Sequence, residues 1–234
     1  TLAVYDNRTG SKSASFVVRG DGLVGVGHTV PEGKGIDIQH SRTNAYSRNG
    51  DTRNLAHLIV RNSSDAADRF SSISWVSGGG TQAEGSINLV QTGNYTGDLT
   101  FKLRTAVSSW QERVRITSDG KIGIGNIASP VNNVEIRTDA HGEGVTIKST
   151  GNTSNALTFD ANRGTQGVIG VVYGRWNGTT VAQMSFISGD DGTDKNDGYI
   201  TFGTESAASN GNVNATERLR IKSNGQIVLG SDGT

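Results

Sequence analysis

One block of sequence occurs twice, and it limits the fold more than any other feature. Glu112-Arg113-Val114-Arg115-Ile116-Thr117-Ser118-Asp119-Gly120-Lys121-Ile122-Gly123-Ile124-Gly125 is matched by Glu217-Arg218-Leu219-Arg220-Ile221-Lys222-Ser223-Asn224-Gly225-Gln226-Ile227-Val228-Leu229-Gly230. A weaker copy, Phe16-Val17-Val18-Arg19-Gly20-Asp21-Gly22-Leu23-Val24-Gly25-Val26-Gly27, replaces Glu-Arg by Ser15-Phe16 and the serine by Gly20. The turn glycines Gly22, Gly120 and Gly225 lie 98 and then 105 residues apart. Pro31 and Pro130 follow the closing glycines and lead into the alternating runs Ile36-Asp37-Ile38 and Val134-Glu135-Ile136. Gly97-Asp98-Leu99-Thr100-Phe101 and Gly198-Tyr199-Ile200-Thr201-Phe202 precede the two full copies in the same way. Recurrence on this scale marks a chain built from modules. The end of one module (1–30) is followed by two whole ones, 31–129 and 130–234.

Each block reads as a hairpin. Val114 and Ile116 alternate with Arg113 and Arg115, which gives one apolar and one charged face. Asp119-Gly120 supplies a tight turn, because both residue types tolerate positive φ. The return strand alternates Ile122 and Ile124 with Gly123 and Gly125, so one of its faces carries no side chains. Glycine at such positions marks close approach by another backbone. A two-stranded hairpin is not stable alone. The expectation is that neighbouring chains interdigitate at the glycine face.

The rest of the chain supports an all-β reading. Alternating runs rich in Val, Ile, Thr and Phe predict strands at Phe16–Val18, Leu23–Val26, Ile36–Gln39, Leu55–Arg61, Ile73–Val76, Ile87–Val90 and Leu99–Arg104. They continue at Arg113–Ile116, Lys121–Ile124, Val134–Arg137, Val145–Lys148, Ala156–Asp160 and Val168–Tyr173, then at Val181–Ile187, Tyr199–Phe202, Arg218–Lys222 and Gln226–Leu229. Asn49-Gly50-Asp51, Gly78-Gly79-Gly80, Asn177-Gly178 and Ser223-Asn224-Gly225 punctuate them as turns. No segment keeps an apolar stripe of helical period for three turns; Ser63–Arg69 and Glu205–Asn210 are short enough to be single turns. Only 33% of residues are hydrophobic, and glycine is 33 of 234, so an isolated chain has a thin core and finds its missing burial on other chains.

Several function classes drop out. The 22 basic and 22 acidic residues cancel, leaving no basic excess for nucleic acid. No apolar run approaches the ~18 residues of a membrane span. Without cysteine there is neither a disulfide framework nor a thiolate site.

The pattern Glu-Arg-φ-Arg-Ile-x-Ser-Asp/Asn-Gly-x-φ-x-φ-Gly, with a proline soon after it, resembles a module of tail-fibre and tail-spike proteins of tailed phages, most closely those of marine cyanophages. The resemblance is clear at 112–125 and 217–230 and partial at 16–31. It implies an elongated homotrimeric fibre of repeated β modules, with hairpins interdigitated about a threefold axis. It also implies location in the virion, outside the cell, with other virion tail proteins as neighbours. A chain opening inside a module at Thr1 is expected of a processed chain or of one stretch of a longer fibre. In this reading Ile116, Gly120, Ile122, Gly123, Ile124 and Gly125 form the trimer core. Their counterparts are Ile221, Gly225, Ile227, Val228, Leu229 and Gly230.

Gly20-Asp21-Gly22-Leu23-Val24-Gly25 fits a dinucleotide fingerprint literally, but no helix opens at it. The acidic run from Gly189 to Gly198 lacks the spacing of a calcium loop, and its Asp and Asn residues suit turn capping. His28, His40, His57 and His141 show no metal-ligand spacing, and no nucleophile elbow occurs. No cofactor, metal or catalytic residue is expected, and the chain is read as a non-enzyme. The Asn-x-Ser/Thr triplets at Asn7, Asn62, Asn94, Asn152, Asn177 and Asn214 carry no weight in so Asn- and Ser-rich a chain. Trp75 and Tyr173 lie in apolar strands and are expected to fill core. Trp176, in Gly174-Arg175-Trp176-Asn177-Gly178, sits in a turn and is the candidate for contact with a host glycan. A carbohydrate-binding module, a bacterial surface adhesin or filament subunit, and a depolymerase spike stand as alternatives to the fibre segment.

Overall fold

Alternation of branched apolar residues with polar ones is expressed as strands over much of the chain, and among the described residues there is no helix. The computed structural model describes residues 2–6, 13–18, 24–26, 36–38, 58–64, 66–78, 82–206 and 215–230. Two compact units, Thr1–Gly144 and Val145–Thr234, divide the chain.

The first unit holds two sheets. In one, β1 (Leu2–Asp6), β2 (Ser13–Val18) and β3 (Val24–Val26) run antiparallel in sequence order, and β4 (Ile36–Ile38) adds parallel to β3. The other is a meander of β5 (Phe70–Ser77), β6 (Ala83–Gly93), β7 (Thr96–Ala106), β8 (Ser109–Ile116) and β9 (Ile122–Ile124), to which β10 (Val134–Ile136) adds parallel. The second unit is a five-stranded meander of β11 (Gly167–Trp176), β12 (Thr179–Ser188), β13 (Gly198–Thr204), β14 (Thr216–Ile221) and β15 (Ile227–Leu229). Its first turn, Asn177-Gly178, has φ of 48° and 86°, the doubly positive conformation that keeps the twist of a two-residue hairpin.

Strand register sorts the side chains of each sheet onto two faces, because directly paired residues point the same way. In the six-stranded sheet one row runs Ile73, Ile87, Phe101, Val114, Ile124, Ile136, and the next runs Ser71, Leu89, Leu99, Ile116, Ile122, Val134. Neither row contains a charge. The opposite face carries Ser72, Asn88, Thr100, Arg115, Gly123 and Glu135 in one row. The second unit repeats the division: Val172, Met184, Phe202, Leu219 and Leu229 share one face, and Val171, Ser185, Thr201, Arg220 and Val228 the other.

Burial is inverted relative to an ordinary sheet. Thr100 is 0% exposed, Asn88 5% and Ser185 1%, all on the polar faces. The Asn88 amide donates to the hydroxyls of Ser86 and Thr100 at 3.1 and 3.3 Å, which satisfies it where water is excluded. Meanwhile Ile73, Leu89, Ile116, Ile124, Val134 and Ile136 of the apolar face stand exposed.

Three strands expected from the sequence do not form. Residues 58–61 of the Leu55–Arg61 run, and the runs Val145–Lys148 and Ala156–Asp160, are extended without sheet partners. Their alternation is real, but no backbone within the described chain pairs with them, and Leu58, Val145 and Leu157 are exposed. The Ile147 carbonyl accepts the Asn155 amide at 3.1 Å, and Phe159 is packed. Its ring stacks on Phe186 with centroids 5.7 Å apart and occupies the space that a side chain at Gly170 would need. β1 was not expected, since Leu2–Asp6 has neither clean alternation nor a preceding turn. Residues 66–68 form a turn, and residues 205–206 are irregular. The Asn49-Gly50-Asp51 turn, Gly79-Gly80, Gly22, Pro31 and residues 207–210 lie outside the described residues.

Candidate functional site

The two full blocks fold as one design. In the first, Thr117 and Lys121 close a three-residue loop: the Thr117 amide donates to the Lys121 carbonyl at 2.9 Å, and the Gly120 amide to the Thr117 carbonyl at 2.9 Å. Gly120 has φ of 87° and Gly225 79°, the left-handed residue that completes this hairpin type. In the second block Lys222 and Gln226 repeat both bonds at 2.9 Å.

A β-bulge explains the Glu-Arg-φ-Arg run. Phe101 pairs with Val114 but Lys102 pairs with Glu112, so Arg113 is the extra residue. Phe202 pairs with Leu219 and Gly203 with Glu217, which bulges Arg218. One added residue breaks the two-residue alternation and turns positions three apart to one face. Glu112 and Arg115 therefore meet in a two-pronged pair at 2.7 and 2.8 Å, and Glu217 and Arg220 at 2.8 and 2.8 Å. Forked pairing of this kind is among the stronger ionic contacts. The glutamate holds each guanidinium above the usual arginine value. The bulged residue's carbonyl also accepts the amide of the closing glycine, Gly125 to Arg113 at 3.0 Å and Gly230 to Arg218 at 2.9 Å. The weaker block shares the bulge: Val4 pairs with Phe16 and Tyr5 with Ala14, leaving Ser15 over, so that Ala14-Ser15, rather than Ser15-Phe16, stands at the Glu-Arg positions and the glutamate of the ion pair is missing.

The third partner of the arginine differs. Asp98 reaches Arg115 at 2.6 Å and accepts the Ser118 amide at 2.9 Å, tying β7 to both the arginine and the turn. Tyr199 stands where Asp98 does, and Arg220 lies over its ring at 4.6 Å, a cation–π contact.

The close approach expected at the glycine face is made within the chain. A Cβ at Gly123 would lie 3.0 Å from the Ile127 Cβ and 3.1 Å from its carbonyl, with Pro130 next. Gly125, at φ 93°, faces the Arg137 carbonyl that follows β10. Ile127, 2% exposed, thus plugs the loop that carries the chain from β9 to the parallel β10. Nothing in the sequence pattern singles it out, because it sits in a Ser-, Asn- and Pro-rich connection. Of the remaining core candidates, Ile116, Ile122, Ile124, Ile221, Ile227 and Leu229 lie on the apolar faces, and Val228 on the polar face opposite them.

The other candidates are dispersed. Trp176 is 80% exposed at the β11–β12 tip, and Arg175 lies 4.9 Å over the Tyr173 ring on the same strand. Trp75 and Tyr173 do not fill core; both are exposed on the single chain, Trp75 because it stands on the apolar face of the edge strand β5. In the acidic loop the Asp191 carboxylate accepts the amides of Thr193 and Asp194 at 2.9 and 3.2 Å, capping its own turn. Among the described residues no cluster of three or more His, Asp or Glu is placed to hold a metal ion. His141 is exposed; His28, His40, His57 and Tyr46 lie outside the described residues.

No family model matches the sequence, and no curated protein matches it. A solved structure is similar: the carboxy-terminal domain of the bacteriophage T5 L-shaped tail fibre, at 13% identity and a TM-score of 0.53, over 84% of this chain and 92% of that one. The chain has the all-β fold of a phage tail-fibre domain.

Proposed function

We propose that the chain is a structural segment of a phage tail fibre, assembled as a homotrimer outside the cell on the virion, that positions host-receptor recognition. The observation that carries this reading is the likeness of fold to a T5 tail-fibre domain over most of both chains. The repeated block, resembling a tail-fibre module, and the apolar faces left open on the single chain agree with it. In this role the chain transmits force and holds geometry, with no catalysis and no cofactor. Antibody raised against residues 1–234 should label the tails of phage particles that carry the gene. Light scattering behind a sizing column should give three times the 24.5 kDa of one chain. Unlabelled tails, or a single-chain mass at every concentration, would overturn the reading.

A second reading rests on Trp176. An aromatic 80% exposed at a hairpin tip, beside the stacked Arg175 and Tyr173, suits the face of a sugar ring. Reproducible glycan-array hits abolished by Trp176→Ala would make this segment itself a receptor contact.

A further inference from the structure

We propose that the apolar face of each sheet, rather than the glycine face of the hairpin blocks, is the surface on which further copies of this chain pack; this rests on the fibre-segment reading and names its contact.

The six-stranded sheet presents two uncharged rows, from β5 to β10, on one face. At the usual strand spacing of about 4.8 Å they span roughly 24 Å. Leu89 is 56% exposed, Trp75 55%, Leu103 52% and Ile73 46%. Together with Ile116, Ile124, Val134 and Ile136 they leave several hundred Å² of contiguous apolar surface open, at or above the ~300–600 Å² of the largest patch on a typical monomer. That is also the scale of the ~800 Å² each partner contributes to a standard interface. In the first block the glycine face is already filled by Ile127, Pro130 and the Arg137 carbonyl of the same chain, and on the polar faces Asn88, Thr100 and Ser185 are already buried, while Ser74 on the edge strand is exposed.

The occupant follows from repetition. The second unit offers the rows Val172, Met184, Phe202, Leu219, Leu229 and Gly170, Phe186, Ile200, Ile221, Ile227, again uncharged, with Phe159 already covering the second row at Gly170 and Phe186. The first sheet aligns Phe16, Val26 and Ile38. Each of these faces, taken by itself, is apolar and uncharged, and a second copy of this chain carries the same surface for each of them. Its formal charge of zero means that copies meet without net repulsion. Among the described residues the outer edges of β5, β10, β11 and β15 have no pairing partner, so association of copies can also close edges that would otherwise invite disordered pairing.

The chain has no cysteine, which makes the test direct. Ile73 and Ser74 are adjacent in β5 and lie on opposite faces. In the assembled protein, Ile73→Cys should react with a maleimide about tenfold or more slowly than Ser74→Cys, since a covered thiol reacts only through local opening. Leu89→Lys should reduce the solution mass to that of one chain with strand content retained by circular dichroism, whereas Ser74→Lys should leave the mass unchanged. Equal labelling of the two cysteines in an oligomer overturns the proposal and leaves the fibre reading standing. A wild-type chain that is monomeric at all concentrations overturns both. A Leu89→Lys protein that keeps its mass, or a wild-type mass made up with an unrelated chain or lipid, also overturns the proposal. If Leu89→Lys does not fold, the labelling ratio decides alone.

Discussion

The blocks at 112–125 and 217–230 share a turn, a bulge and a forked ion pair, and differ in the side chains that pack against them. What they share is what the backbone demands: the left-handed glycine of the turn, the bulged arginine whose carbonyl is needed, and the closing glycine that donates to it. What differs is packing. Arg115 is held by Asp98 and is 15% exposed in its side chain, while Arg220 lies over Tyr199 at 35%. Gly123 is roofed by Ile127 and Pro130; its counterpart Val228 has a side chain on the same face. A guanidinium can be satisfied by a carboxylate or by an aromatic face, so that neighbour is free to change. A hairpin turn of this shape has no second solution.

The strongest way to break the comparison is to remove the roof. Ile127→Ala should cost about 3 kcal/mol, the loss of a buried branched side chain plus its cavity, and hydrogen exchange should rise in the first block and β10 while the second block is unmoved. Gly123→Val should cost about 1–3 kcal/mol by overpacking, although valine is the natural residue at the counterpart. The reverse change, Val228→Gly, should cost only about 0.5–1 kcal/mol. If urea unfolding finds the two substitutions equal, the roof is not what distinguishes the blocks.

A milder change sharpens the contrast between the arginines. Asp98→Ala strips Arg115 and the Ser118 amide of a shared acceptor and should destabilise by about 1–3 kcal/mol. Tyr199→Leu removes only the ring face and should cost about 0.5–1 kcal/mol. The smallest effect concerns acid. The Thr117 hydroxyl, with Lys121, holds the Asp119 carboxyl below its ordinary value. A lowered folded-state value adds stability above the unfolded value and loses it as pH falls through the folded one. Asn224 occupies the same turn position and does not titrate. Asp119→Asn should therefore flatten the acid limb of unfolding below about pH 4, and a Tm-against-pH curve that keeps its slope would show the turn carboxylate to be idle.

Much of this fold can be read directly from residue order. Asp119-Gly120 and Asn177-Gly178 announce their turns, and Val-x-Ile alternation announces strands, because both are local properties of a few adjacent residues. Arg115 was placed with Arg113 on one charged face; the bulge that instead pairs it with Glu112 arises from how β7 and β8 align, which neither strand records alone. Ile127 is illegible for the same reason: its burial comes with the fold of the loop over Gly123 of β9, which the residues around it do not announce. At 145–148 and 156–160 the alternation predicts strands that do not form, because a strand also needs a neighbour, and among the described residues none pairs with them. Nor does alternation say which of two faces a sheet will leave open.

That open face has a consequence for how stability behaves. A sheet whose polar side is packed and whose apolar side is bare holds back much of its favourable burial until something covers it. Whatever binds only the folded form adds stability that grows with its concentration. Where that partner is another copy, dilution becomes a denaturant: the same polypeptide would melt earlier the fewer of its kind are present, and its Tm would be a property of the solution as much as of the molecule.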